Sequence, residues 1–214
     1  MKTAETKQVK IKICGLTRVC DIDYVNEAAP DYIGFVFAES RRRITPEDAE
    51  KLRRRTAEGI RAVGVFVDEA PERILALLKE GIIDAVQLHG KETPHYVNHL
   101  KEQSGCTVIK ALHPGGESGK AAVCAEYAAA GTDYFLFDSG SSAQAGGTGE
   151  RFDWSRIPNT AYPYFLAGGL NTGNIEEALR TVAPYGVDIS SGVETNGVKD
   201  QDKILDMIRR IRNV

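Results

Sequence analysis

The stretch Val9-Lys10-Ile11-Lys12-Ile13-Cys14-Gly15 sets the reading of the whole chain. Val9, Ile11 and Ile13 alternate with lysines at the period of two expected of a β-strand, and Gly15 stops the strand. Cys14 therefore falls at the carboxyl end of a first strand, just before a turn and a helix. On its own such a cysteine reads more readily as a small buried hydrophobe than as a reactive thiol.

Downstream, the same unit recurs: an apolar or β-branched run ends in Gly or a polar residue, and an amphipathic helix follows. Strands are expected at Tyr32 to Phe37, Ala62 to Val67, Ala85 to Leu88, Thr107 to Leu112, Tyr134 to Phe137, Tyr164 to Ala167 and Val187 to Ile189. A first helix is expected around Val19 to Ala29. Thr45, Pro46 and Asp48 carry the signature of a helix start: a cap, a proline at the first helical position and an acid three residues after the cap. Apolar faces follow at Ile74, Leu75, Leu77 and Leu78, at Ile175, Ala178, Leu179 and Val182, and at Ile204, Leu205, Ile208 and Ile211. Eight strands in near-continuous apolar runs, alternating with about eight helices, predict an α/β fold, a single (β/α)8 TIM barrel, rather than an open doubly wound sheet. The domain is expected to span residues 9–214, with residues 1–8 a frayed, polar end. Most connections must be short; the exception is the Gly/Ser-rich segment Ser139 to Asp153.

The bulk properties exclude several classes of function. With 42% hydrophobic and 27% charged residues and a net charge of −3, the chain lacks the basic excess of a nucleic-acid or membrane-surface protein. No apolar run approaches the ~20 residues of a membrane span. Cysteines 14, 20, 106 and 124 show no CxxC pair and no metal-ligand spacing, which suits reduced thiols in the cytoplasm.

In a barrel the strand ends converge on one mouth, where catalytic groups collect. The residues there are Cys14, Arg42, Gln87, His89, Asp138, Gly168, Gly169, Asp188, Ser190, Ser191 and Gly192. Consecutive Gly-rich ends on strands seven and eight let backbone amides approach an anion, with Ser190 and Ser191 as added donors; the alternative is that the glycines serve tight turns. Gly146-Gly147-Thr148-Gly149 offers a further donor nest. Neither a Walker-type GxxxxGK[ST] nor a GxGxxG after the first strand is present, which argues against a nucleotide. Cys14 and Asp138 are the candidate proton-transfer groups, with a core thiol and a turn carboxylate as the competing readings. Arg42 reads as a carboxylate fork or as a solvated member of Arg41-Arg42-Arg43. His89 reads equally as a structural hydrogen bonder or as a catalyst.

Taken together, Lys12-Ile13-Cys14-Gly15, Ser40 to Pro46, Gln87-Leu88-His89-Gly90, Phe137-Asp138 with Gly146 to Gly149 and Phe152-Asp153-Trp154, Ala167-Gly168-Gly169-Leu170 and Asp188 to Glu194 resemble the signatures of the phosphoribosylanthranilate isomerases of tryptophan biosynthesis. The resemblance runs in order along essentially the whole chain. It implies a (β/α)8 barrel and a cofactor-free, metal-free Amadori rearrangement of N-(5-phosphoribosyl)anthranilate to 1-(2-carboxyphenylamino)-1-deoxyribulose 5-phosphate. By motif, Cys14 matches the family's general base, Asp138 its general acid and Arg42 the arginine that contacts the anthranilate carboxylate. Backbone groups at Gly147, Gly168, Gly169, Ser191 and Gly192 would hold the phosphate, Asp188 would lie near the sugar hydroxyls, and Gln87 and His89 complete the expected substrate-binding set. Arg41 stands where the family often has proline; the spacing to Pro46 favours Arg42 as the clamp. The resemblance implies a cytoplasmic enzyme, monomer or homodimer, whose partner is a small phosphorylated substrate and neither nucleic acid nor membrane. The aminoaldose isomerase of histidine synthesis fits less well, because aspartates serve as both its acid and base. A non-catalytic sugar-phosphate-binding barrel would not need Cys14 and Asp138.

Overall fold

The computed structural model describes residues 8–114, 121–138 and 153–214. The expected donor nest Gly146 to Gly149, including Gly147, and all but the last residue of the Ser139 to Asp153 segment lie outside the described residues, as do residues 1–7. Gln8 is exposed and outside any regular element.

Eight parallel strands close into a barrel in chain order: β1 (Lys10–Cys14), β2 (Tyr32–Val36), β3 (Arg61–Phe66), β4 (Ala85–Leu88), β5 (Thr107–Leu112), β6 (Tyr134–Phe137), β7 (Tyr164–Leu166) and β8 (Gly186–Ile189). Helices α1 (Val19–Ala28), α2 (Pro46–Arg53), α3 (Pro71–Lys79), α4 (Pro94–Ser104), α5 (Ala121–Ala129), α6 (Ile175–Val182) and α7 (Gln201–Arg212) alternate with them. Between β6 and β7 the described residues hold only a 3₁₀ turn, Trp154–Arg156. Between β8 and α7 lies a feature absent from the strand periodicity, a two-residue antiparallel hairpin of β9 (Glu194–Thr195) and β10 (Val198–Lys199). The α2 start forms as the sequence predicts, with the Asp48 N–H donating to Thr45 Oγ1 at 3.2 Å and Pro46 opening the helix. On α7, Met207 rather than Leu205 joins Ile204, Ile208 and Ile211 in the core.

Strand alternation sorts side chains into two layers. Ile11, Ile13, Ile33, Val86, Val187 and Ile189 face outward, packing with helical residues such as Ile22, Val25, Ile204 and Ile208. The inward positions form a second cluster, Tyr32, Val63, Ala85, Ile109, Ala111, Leu136, Phe165 and Ala167. Rings of Tyr32, Tyr134, Phe165 and Tyr185 close the amino-terminal end, with Tyr134 and Tyr185 stacked at 4.6 Å between centroids. The lysines of β1 therefore occupy the inward register, and Lys12 is completely buried.

Outside the barrel, a second buried pair pins the end of β4. Lys110 Nζ donates to Glu92 at 2.7 Å and to the carbonyls of Leu88 and Gly90, while Glu92 accepts from the N–H groups of Gly90 and Asp68. Breaking one partner of such a pair strands a buried charge, which is why the loop carrying His89 is held firmly. Among the described residues no helix is long and apolar enough to cross a membrane.

At the amino-terminal end, Asp31 ties the two ends of the chain together. It accepts from Lys10 Nζ at 2.6 Å, the Ile11 N–H at 3.0 Å and Arg212 Nη2 at 2.9 Å. Burial pushes its carboxyl up, but these donors outweigh burial and hold it below the usual carboxylate range. A lowered folded-state pKa gives stability that is present above the unfolded value and lost as pH falls through the folded one. Asp31→Asn is expected to cost about 1–2 kcal/mol at pH 7, and the difference from wild type is expected to shrink at a second, acidic pH as the lowered folded-state pKa of Asp31 is passed. Urea midpoints at the two pH values check it; a constant difference would assign the loss to geometry and not to charge.

Candidate active site

Cys14 ends β1 and Asp138 directly follows β6, so both stand at the carboxyl mouth of the barrel. Gly34 is the register partner of Cys14, and a Cβ there would lie 2.6 Å from the Cys14 Sγ. A side chain on β2 at this point would displace the thiol, so glycine at position 34 leaves the room that the Cys14 side chain occupies.

Beneath the thiol, on the same face two residues earlier, sits Lys12. Its ammonium donates to Gln87 Oε1 at 2.8 Å and to Asp188 Oδ2 at 2.9 Å, and its remaining interaction is with the Cys14 side chain. Burial pulls the Lys12 pKa down, but Asp188 and the thiol outweigh it and hold the amine above its ordinary value, so Lys12 is a cation. For Cys14, burial is the largest influence and raises the pKa. Lys12 and Lys199 pull it down, Asp188 pushes it up, and the net position is above that of an ordinary thiol. The resting group is thus a neutral thiol whose anion has a counter-ion already in place.

Gln87 continues the network. Its Nε2 lies 3.0 Å from His89 Nδ1, and His89 Nε2 lies 3.7 Å from Asp138 Oδ2. His113 Nδ1 is 3.4 Å from the Asp138 carbonyl. Burial pulls the His89 pKa down, opposed by Asp138 and Asp188. The Oδ1 atom of Asp188 is buried with no hydrogen-bond partner among the described residues, an acceptor left open beside the mouth.

Arg42 reaches the site from the loop after β2. Its Nε and Nη2 donate to Glu194 at 2.7 and 2.9 Å, and its stem lies against Gly15, whose missing Cβ would stand 2.4 Å from Arg42 Cδ. Gly15 also has φ +82°, a backbone state that favours glycine. Among the three arginines, Arg42 is the enclosed one at 13% exposure; Arg41 reaches Glu194 from solvent and Arg43 pairs with Glu39. Glu194 also accepts from Lys199, and although burial pushes its pKa up, Arg42 and Lys199 hold it below the usual carboxylate range.

The ends of β7 and β8 pack on one another. Gly168 and Gly169 have φ of +84° and +66°, and Asn171 and Asn174 both donate to the Gly169 carbonyl. A Cβ on Gly192, in the 3₁₀ turn Ser191–Val193, would meet the Leu170 oxygen at 1.9 Å. Ser190 is not arranged as the sequence suggested. Its hydroxyl donates to the Cys14 carbonyl at 3.0 Å, and its own carbonyl accepts from Lys199 at 2.9 Å, so it latches β8 to β1.

The structure thus gathers Cys14, Arg42, Gln87, His89, Asp138 and Asp188 at one mouth, with Gly168, Gly169, Ser191 and Gly192 beside them. It adds Lys12, Lys199, Glu194, Asn171 and Asn174, to which the sequence reading assigned no role in the site. The signal for Lys12 was its i, i+2 spacing to Cys14, which puts the two side chains on one face. Lys199 and Glu194 had no comparable local signal. Among the described residues no group of three or more His, Cys, Asp or Glu is arranged to hold a metal ion.

Comparison with known proteins gives the family and repeats the fold. Residues 11–210 match the sequence model of the family described as N-(5'phosphoribosyl)anthranilate (PRA) isomerase. An N-(5'-phosphoribosyl)anthranilate isomerase of Endomicrobium trichonymphae is 45% identical over 205 residues, covering 96% of this chain and 99% of the relative. The crystal structure of phosphoribosyl anthranilate isomerase from Thermus thermophilus superposes with a TM-score of 0.80 at 32% identity, covering 96% of this chain and 99% of that one. A further isomerase structure, solved in complex with reduced 1-(o-carboxyphenylamino)-1-deoxyribulose 5-phosphate, superposes at 0.76 with 33% identity, covering 97% and 100%. The chain, matched from its first strand to its last helix, belongs to the N-(5'-phosphoribosyl)anthranilate isomerase family.

Proposed function

We propose that this chain catalyses the family's Amadori rearrangement, converting N-(5'-phosphoribosyl)anthranilate to 1-(2-carboxyphenylamino)-1-deoxyribulose 5-phosphate in tryptophan biosynthesis, with Cys14 as general base and Asp138 as general acid. The observation that carries the assignment of roles is the placement of a thiol over a buried cation on β1 and of a carboxyl at the end of β6, on the same mouth. Asp138, protonated, donates to the furanose ring oxygen. The C1–O bond breaks as the anilino nitrogen lone pair forms the iminium. Cys14, ionised against the Lys12 ammonium with its own proton released to solvent before the step, removes the C2 proton to give the enolamine, and reprotonation at C1 with loss of the enol proton gives the ketone. The protein moves only protons in these steps, and the rearrangement as a whole needs no external oxidant or reductant.

The remaining residues divide between the two ends of the substrate. Glu194 takes two of the five N–H donors of Arg42; the others suit the anthranilate carboxylate. Asp188 Oδ1, buried and open, suits a sugar hydroxyl. The backbone at Gly168, Gly169, Ser191 and Gly192 suits the phosphate; we extend this set to Gly147. All four cysteines are free, which supports a cytoplasmic enzyme.

Three tests follow from this geometry. With substrate generated in place and the loss of anthranilate fluorescence followed, Cys14→Ala and Asp138→Ala are each expected to lower kcat by about 10²–10⁴. Near-normal turnover by either variant removes that residue from its role. Because the Cys14 thiol lies above its ordinary pKa, alkylation by iodoacetamide is expected to be slow at pH 7 and to accelerate only as pH rises through the alkaline range. Rapid alkylation at neutral pH would show the thiolate already formed. Finally, Gly192→Ala drives a Cβ into the Leu170 carbonyl, so the β8 end must shift from the β7 end. The expected result is a KM raised about tenfold or more, corresponding to at least ~1.4 kcal/mol of lost phosphate binding, with a smaller change in kcat; an unchanged KM places the phosphate elsewhere.

A further inference from the structure

The hydrogen-bond chain from Lys12 through Gln87 to His89, whose ring stands beside Asp138, fixes more than positions. An ammonium has only donors, so the Gln87 atom 2.8 Å from Lys12 is the amide oxygen. The other end of that amide is then Nε2, a donor, and it lies 3.0 Å from His89 Nδ1. A donor facing Nδ1 requires Nδ1 to be the bare, accepting nitrogen. The single ring proton is left on Nε2, the nitrogen 3.7 Å from Asp138 Oδ2. Placing a second proton on Nδ1 would set two N–H groups against each other, and the Gln87 amide, buried and held by the completely buried Lys12, cannot turn to accept it.

We propose that Lys12, acting through Gln87, is a positioning residue that locks His89 as the neutral Nε2–H tautomer, so that the ring cannot take the proton that Asp138 is to donate. The functional half of this inference rests on the reading of Asp138 as the general acid. An imidazolium beside Asp138 would be the isomer with the same number of protons and the wrong location, a carboxylate with nothing to donate. The groups facing His89 are Asp138 at the end of β6, Asp188 on β8, Lys12 on β1 and His113 after β5. Burial weighs most against a charged ring, the two carboxylates favour one, and Lys12 and His113 oppose it. The amide of Gln87 tips this balance by geometry, because it offers the ring a donor and no acceptor. The same Lys12 ammonium is the neighbour of the Cys14 thiol, so one buried cation acts on both the base and the acid.

The test is the ring ¹⁵N spectrum of the uniformly labelled protein, with His89 resolved from the other three histidines by comparison with His89→Asn. At pH 7 the wild type is expected to show His89 with Nε2 protonated and Nδ1 bare. In Gln87→Glu the facing group becomes an acceptor, and His89 is expected to gain a proton on Nδ1. A wild-type ring protonated on Nδ1, or a Gln87→Glu ring unchanged, overturns the proposal. The spectrum is read without turnover, so it stands apart from the identity of the acid, which Asp138→Ala examines. In turnover, Gln87→Glu is expected to lower kcat about tenfold or more with little change in KM. In the His89→Asn background, where no imidazolium can form, the same substitution is expected to cost less than about threefold. A loss of equal size in both backgrounds overturns the route through His89. If Gln87→Glu does not fold, the wild-type spectrum alone still decides the tautomer.

Discussion

The site depends on one buried cation. Lys12 is completely enclosed in the barrel, where an unpaired ammonium would be strongly penalised, and it is kept charged by the Asp188 carboxylate 2.9 Å away. Those two charges neutralise each other at rest, leaving the Cys14 thiol in an environment that disfavours its anion. Formation of the thiolate adds a negative charge against the same ammonium, so Lys12 passes from one anion to shared service of two. A thiol with no such neighbour would be an inert core filler; a thiol with an unshared cation would be permanently ionised and open to alkylation and oxidation. Sharing the cation with Asp188 lies between these limits.

The same cation explains why β1 has the composition it has. An exterior of β-branched residues toward the helices and an interior bearing lysine is the reverse of an ordinary half-exposed strand. Either arrangement produces the alternation of Val9, Ile11 and Ile13 with Lys10 and Lys12. The strand was therefore legible in the sequence, and so were the eightfold repeat and nearly all strand positions, because buried parallel strands are short apolar runs ended by glycine or polar residues. The direction of the alternation was not legible, since period two says that the faces differ and not which one meets the barrel axis.

Legibility ends where partners are remote in sequence. Cys14, Asp138, Asp188 and the glycine ends could be read because each sits at the end of an identifiable strand, and barrel topology brings strand ends together. The latch around Arg42 could not be read in that way. Glu194 is 152 residues from Arg42, and Lys199 joins them only because the β9–β10 hairpin folds back over the end of β8. Two-residue strands carry no periodicity, so nothing local marks the hairpin. Ser190 shows the same limit: its type and position suggested a phosphate donor, whereas its hydroxyl is directed to the Cys14 carbonyl by the β1–β8 pairing.

Why the link between cation and acid should be an amide followed by an imidazole can be argued from what each passes on. A direct ion pair between a lysine and Asp138 would stabilise the carboxylate and deprive the acid of its proton. A purely apolar spacer would leave His89 free to choose its tautomer or to ionise beside two aspartates. Gln87 transmits the orientation demanded by Lys12 without transmitting its charge, because an amide that accepts at one end must donate at the other. The imidazole then presents a neutral N–H to Asp138 and no more. Acid and base must hold opposite protonation states within one small mouth, and this arrangement lets Lys12 favour the anion at Cys14 without imposing one at Asp138.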